Sequence, residues 1–374
     1  MKFKADRATL LRALAHIQSV AEKRNTIPIL ANVLLSAEDG VLRLTATDME
    51  IAVVENIAAE TARPGATTAP AAVLYDIVRK LPDGSVVELD HAGTDAPLTL
   101  RAGKYATSLN VLSVDDFPSM VAGDLPFAFT IAASVLRGLI DRTRFAISTE
   151  ETRYYLNGIY LHVADLETGP MLRAVATDGH RLARVEADVP VGAEGMPGVI
   201  IPRKTIHELR KLLDEGSTDI EVNVSDTRIQ FRCGPILLTS KLIDGTFPEY
   251  ERVIPKGNDR ILRVGKRDFA DAVGRVAAIS QERSRPVKLS VMPNLLTLSA
   301  VSPDQGMAKE ELDENSVAYD AAPIEIGFQA RYLNDITDQI ETEVEFAFAD
   351  NAAPTLVRDT NTPSALYVLM PMRV

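Results

Sequence analysis

The chain repeats itself at a fixed offset. Thr47-Asp48 returns as Thr177-Asp178, and Phe117-Pro118 returns as Phe247-Pro248, each displaced by 130 positions. One displacement held over two landmarks predicts a duplicated domain. The segment between them agrees: Pro70 opens a helix-like run ending Val78-Arg79-Lys80-Leu81, and Pro202 opens one ending Leu209-Arg210-Lys211-Leu212. A third, more diverged copy starts near residue 257. There the run 331–336 leads into alternating Val344, Phe346 and Phe348, much as 206–213 leads into Ile220, Val222 and Val224. The 374 residues thus divide into units 1–125, 126–256 and 257–374. The connectors, near Gly123-Asp124-Leu125-Pro126 and Pro255-Lys256-Gly257-Asn258, are short, which predicts a fixed arrangement of the three blocks.

Each unit carries two amphipathic helix candidates, at 6–18, 71–81, 134–144, 203–213, 266–277 and 330–340. Their apolar residues recur at helical spacing: Leu10, Leu14 and Ile17; Val135, Leu136 and Leu139; Phe269, Val273 and Val276. The remainder alternates like half-buried strand, as where Leu42, Leu44 and Ala46 interleave with Arg43, Thr45 and Thr47. The expected fold class is α+β, with two helices over antiparallel sheet in each of three pseudo-repeated domains.

Net charge is −12, which speaks against a nucleic-acid binder until its distribution is examined. The six helix candidates hold fifteen Lys/Arg against eight Asp/Glu, so they are net positive on an acidic chain. Helices commonly carry solvated Lys and Arg for no further reason. Here, however, the first helix of every unit is basic: Arg7 and Arg12; Arg137, Arg142 and Arg144; Lys266, Arg267 and Arg275. Were the helices to line one surface, it would suit a polyanion held without base-specific contact.

Several chemistries are excluded by spacing. Gly103-Lys104 lacks the upstream glycine of a phosphate loop, and Gly192, Gly195 and Gly198 have the wrong spacing for a dinucleotide loop. His207-Glu208 lacks the second histidine of a zinc-protease helix, and the five histidines are scattered, so no metal or cofactor is expected. Cys233, the sole cysteine, falls on an alternating strand and reads as a core thiol. The N-terminus lacks an apolar signal region and no stretch reaches membrane-span length, so the protein is expected in the cytoplasm.

Thr177-Asp178-Gly179-His180-Arg181 could supply an acid–base pair for a hydrolase. The first unit has Thr47-Asp48-Met49-Glu50 at the same place, so the shared turn is structural and Gly-His-Arg a specialisation of the second copy, suited to surface recognition. A static DNA-binding regulator would need a groove-reading helix and a strongly basic domain, and neither is apparent. The apolar ending Tyr367-Val368-Leu369-Met370-Pro371-Met372-Arg373-Val374 is unusual, because chain ends normally fray; methionines beside a proline suit a pocket for varied apolar peptides.

Across its whole length the sequence resembles the bacterial sliding-clamp family, the DNA polymerase III beta subunits. The resemblance is carried by Thr26-Ile27-Pro28-Ile29-Leu30, Arg153-Tyr154-Tyr155-Leu156-Asn157-Gly158, Ala176-Thr177-Asp178-Gly179-His180-Arg181-Leu182-Ala183, Thr239-Ser240-Lys241-Leu242 and Met370-Pro371-Met372-Arg373. It implies a non-enzymatic processivity factor, a head-to-tail homodimeric ring with helices inside and sheets outside. That ring encircles duplex DNA without sequence preference and tethers the replicative polymerase, the clamp loader and other clamp-binding proteins. The partner-peptide pocket it implies comprises Leu156, Thr177, Gly179, His180, Arg181, Leu182, Pro248, Arg252, Val253, Pro354, Val368, Met370, Pro371, Met372 and Arg373, with His180 and Arg181 on the rim and Met372 closing it. The implied DNA contacts are Arg24, Tyr154, Tyr155, Arg203 and Lys204, to which the helix charges add Arg79, Arg137 and Arg142. Ring closure would pair an edge strand at 104–109 with the third unit around 278–285. Glu150-Glu151 beside the tyrosines, and Thr107 where the family can carry an aromatic, depart from the family pattern.

Overall fold

A computed structural model describes residues 1–21, 26–93, 96–120, 123–214, 216, 218–280 and 286–373. Six α-helices form within them: α1 (Arg7–Gln18), α2 (Ala71–Lys80), α3 (Ala133–Asp141), α4 (Arg203–Leu212), α5 (Lys266–Ala277) and α6 (Ala330–Thr337). On α1 the buried residues Leu10, Ala13, Leu14 and Ile17 make one stripe. Asp6 starts that helix by accepting the Thr9 N–H at 2.9 Å, and this bond holds its carboxyl below the usual range. On α5 the stripe is Phe269, Ala272, Val273 and Val276.

Two details of α3 differ from expectation. Val135 is exposed while Leu136, Leu139 and Ile140 are buried, because neighbouring helical positions are turned by about 100°. The helix also ends at Asp141 rather than continuing to 144. Thr143 Oγ1 donates to the Leu139 carbonyl at 2.6 Å, an interaction that competes with helix continuation, and a 3-10 turn follows at Arg144–Ala146.

Every strand pairing among the described residues is antiparallel. The chain forms two compact units, the first made of Met1–Arg137, Pro190–Pro197 and Lys204–Leu242, the second of Gly138–Val189, Gly198–Arg203 and Ile243–Val374. The first unit holds a five-stranded sheet ending in Tyr105–Leu109 and an eight-stranded sheet. The second holds a nine-stranded sheet and a four-stranded sheet ending in Gly306–Leu312.

Each long sheet is continuous across two sequence repeats. In the first unit Ile51–Ala58 pairs with Ile236–Lys241, placing Val53 opposite Leu238. In the second, Arg181–Asp188 pairs with Ala365–Leu369, placing Ala183 opposite Tyr367. These joints use corresponding strands: the fourth strand of one repeat bonds to the last strand of the next. By the same correspondence Gly306–Leu312 is the fourth strand of the last repeat and Tyr105–Leu109 the last strand of the first. Both are sheet edges. In the third repeat the exposed edge strand is thus Gly306–Leu312, while the 278–285 stretch, where the resemblance puts the contact with 104–109, is described only as far as residue 280. Ala278 and Ser280 close turns at the end of α5, and 281–285 lie outside the described residues.

No described helix is long and apolar enough to cross a membrane. Cys233 is buried, and burial pushes its thiol up to about 12, which makes it chemically quiet.

Candidate functional site

The two Thr-Asp landmarks build the same turn. Asp48 Oδ1 accepts the Glu50 and Ile51 N–H groups at 2.8 Å each, and Asp178 Oδ1 accepts those of His180 and Arg181 at 2.9 and 3.1 Å. Thr47 and Thr177 hydroxyls donate to the carbonyls of Ile51 and Arg181 at 2.9 and 2.7 Å. Met49 has φ 75° and Gly179 φ 88°, so the second copy relieves with glycine a left-handed position that strains methionine. With Oδ1 bonded to the turn and Oδ2 taking Arg181 Nε at 3.1 Å, Asp178 is not organised as a general base for His180. The His180 ring instead stacks on Tyr332, with centroids 6.1 Å apart.

Beside this turn lies a cleft of about 210 Å³. Buried Leu156, Leu182, Tyr250 and Val368 contribute to its lining, above a core that includes Val175, Phe247 and Leu366. Val253 and Met370 also line it and remain 48% and 39% exposed, leaving apolar area for a ligand to cover. The strand Arg181–Asp188 supplies Leu182, the last strand Ala365–Leu369 supplies Val368, and the 3-10 turn Tyr250–Val253 forms a wall. That wall is tied from behind. The buried Tyr250 hydroxyl sits 3.0 Å from both Arg173 Nη1 and His162 Nε2, and Arg173 Nε donates to Glu186 at 2.7 Å. Burial pushes His162 below its ordinary value and the Tyr250 hydroxyl above its own, so both favour their neutral forms.

Nine of the residues implied by the resemblance meet at this cleft: Leu156, Thr177, Gly179, Arg181, Leu182, Pro248, Val253, Val368 and Met370. Glu249 and Tyr250 join them, and neither was expected there. Their signal was the Phe247-Pro248-Glu249-Tyr250 string, whose last residue the buried Arg173 holds from 77 positions away. Arg252 pairs with Glu249 in solvent, and the Pro354 carbonyl accepts from Asn258 at 2.9 Å.

Two expectations need correction. Arg181 is no free rim cation: its side chain is 4% exposed, and it reaches Asp335 at 2.5 Å, Asp178 at 3.1 Å and the Phe145 carbonyl at 2.6 Å. Its guanidinium also lies 4.4 Å from the centroid of the Tyr332 ring. Met372 does not close the cleft. Its N–H donates to Gly327 at 2.8 Å, so the tail covers the edge strand Ile324–Gln329, and Pro371, Met372 and Arg373 line a separate hollow with Lys288 and Glu325.

The proposed DNA residues are unevenly available. Arg24 lies outside the described residues. Arg79 pairs with Asp76 at 3.0 Å, Arg137 with Asp214 at 3.7 Å, Arg142 with Glu341 at 3.5 Å and Lys204 with Asp48. Arg203 is exposed and no side-chain partner is seen for it among the described residues. Tyr154 is 54% exposed and meets Tyr155 edge-on at 5.8 Å. Arg153 clasps Glu150 through bonds of 2.8 and 2.6 Å, which neutralises half of the acidic pair beside those tyrosines. Arg7, counted among the helix cations, is spent on structure, donating to the Val78 and Arg79 carbonyls at the end of α2.

No group of three or more His, Cys, Asp or Glu is placed to hold a metal among the described residues. Comparison with known proteins matches residues 1–121 to the N-terminal domain, 130–249 to the central domain and 251–373 to the C-terminal domain of the DNA polymerase III beta subunit. The beta sliding clamp of Caulobacter vibrioides is 51% identical, and that of Escherichia coli 38% identical, each with both chains fully covered. A crystal structure of a sliding clamp from Bartonella birtlesii bound to griselimycin matches with a TM-score of 0.96 at 48% identity, covering 100% of both chains. One from Caulobacter crescentus, with PEG bound, matches with a TM-score of 0.97 at 51% identity, covering 100% of this chain and 99% of that one. With three repeated α+β domains, joined sheets and full-length likeness to these proteins, the chain belongs to the DNA polymerase III beta subunit family, the bacterial sliding clamps.

Proposed function

We propose that this protein is a DNA polymerase processivity factor whose homodimer encircles duplex DNA, slides along it and tethers the replicative polymerase, the clamp loader and related partners through the cleft beside Met370. The observation that carries the ring is the repeated joint. Two joints within the chain pair corresponding strands, and the two strands that would make a third, Tyr105–Leu109 and Gly306–Leu312, are left as edges. Head-to-tail pairing of two chains satisfies both edges twice and closes the assembly. Carrying the internal register across predicts Thr107 opposite Ala308 of the second copy. Tyr105 and Met307 on these edges are exposed at 43% and 66%, apolar surface that such pairing would cover.

The domains are taken as 1–125, 126–256 and 257–374, and the protein as cytoplasmic and non-enzymatic. A hydrolase reading loses its acid–base pair, since Asp178 is bonded to its own turn and to Arg181. Enclosure needs no tight contact, which fits an acidic chain with exposed Arg203 and Tyr154 as light DNA contacts. Size determination by light scattering tests the assembly: a dimer at micromolar concentration is expected, and a monomer there would contradict the ring.

A further inference from the structure

The joint in the first unit has its own cleft, of about 270 Å³, lined by Thr47, Met49, Pro118, Ser119, Met120, Arg228 and Lys241. It corresponds position by position to the Met370 cleft. The Asp48 turn stands for the Asp178 turn, and Pro118 stands for Pro248. Lys241 N–H donates to the Glu50 carbonyl at 2.9 Å, as Met370 N–H donates to that of His180 at 2.9 Å. Lys241 therefore occupies the place of Met370, and by the strand register Arg228 occupies that of Pro354. The backbone frame is kept while two apolar positions have become cations.

We propose that this cleft is a second peptide site, selective for extended acidic segments that carry an apolar side chain. The proposal borrows from the reading above that the Met370 cleft receives peptides. Arg228 has no ion pair among the described residues, and Lys241 is held only by Glu50 at 2.9 Å in an exposed pair that contributes little. A ligand carboxylate can replace Glu50 and add a charge-assisted bond to Arg228. Met49, Pro118 and Met120 supply an adaptable apolar surface between these cations. Since an extended strand presents alternate side chains to one side, a segment alternating acidic and apolar residues matches the site. The chain as a whole is net −12, so general attraction of anions would not produce such binding.

Fluorescence anisotropy on the full chain carrying Met370→Ala, which weakens the other cleft, tests this with a short labelled peptide of alternating glutamate and leucine. The glutamate peptide should bind at least about tenfold tighter than its glutamine counterpart. Arg228→Gln with Lys241→Gln should erase that preference, and Glu50→Gln, which releases Lys241, should increase it. A wild-type cleft without the preference, or a preference that survives the double substitution, overturns the proposal. Displacement of the peptide by an equal concentration of short duplex DNA would assign the cations to phosphate and overturn it as well. In a separate arm with Met370 intact, an apolar clamp-binding peptide should keep its affinity in the Arg228→Gln, Lys241→Gln chain. Failure of that arm in the unsubstituted chain would count against the Met370 cleft instead.

Discussion

Met370 and Met372 look interchangeable in the sequence, yet one lines the cleft and the other is pinned to Gly327. Met370→Ala should weaken a clamp-binding peptide by about 2 kcal/mol, roughly thirtyfold, as truncating a pocket anchor does. Met372→Ala should change that affinity by less than about 0.5 kcal/mol, the range of a surface substitution. Peptide titration of both variants separates a pocket wall from a mere tail. Arg181 carries the opposite lesson: its motif invited a recognition role, while its environment makes it a buried cation held by Asp178 and Asp335. Asp335→Leu should therefore lower stability by about 3 kcal/mol, since it leaves a buried charge under-compensated, and thermal unfolding would register the loss. The Thr-Asp turn was legible because its bonds are local. The fate of Arg181 was not, because Asp335 lies 154 positions away and no local pattern announces it.

At the scale of elements, helical spacing located all six helices, since burial of one stripe imposes the period that the sequence displays. It could not say which helix cations stay free. Arg7 is drawn to the C-terminal carbonyls of α2, Lys266 to the Ile340 carbonyl and Arg275 to Glu310, leaving Arg203 among the exposed ones. For the pair at the start of α4, Arg203→Ala should account for most of the loss in DNA affinity seen with Arg203→Ala plus Lys204→Ala. Lys204 already pairs with Asp48, so it has less to give. Filter binding over a salt series should show a shallower salt slope for Arg203→Ala, with peptide affinity unchanged. Equal losses from each single substitution would mean that the Asp48 pair yields to phosphate.

For the whole molecule, the constant offset of 130 residues gave notice of repetition, but not that sheets would run continuously across the repeats. That continuity depends on which edges are compatible, and it offers Gly306–Leu312 as the edge strand for the proposed pairing with Tyr105–Leu109. Thr107→Cys with Ala308→Cys should yield a covalently closed dimer on oxidation, because directly opposed strand residues fall within disulfide reach. Thr107→Cys with Leu312→Cys, out of register, should not, and non-reducing electrophoresis distinguishes them. Buried Cys233 should stay silent in both. Enclosure itself makes the strongest demand on function. Protein loaded onto closed circular DNA should remain through a wash at matched salt and leave once a single cut linearises the circle. Equal dissociation from circular and linear DNA would contradict a ring that holds its template by topology.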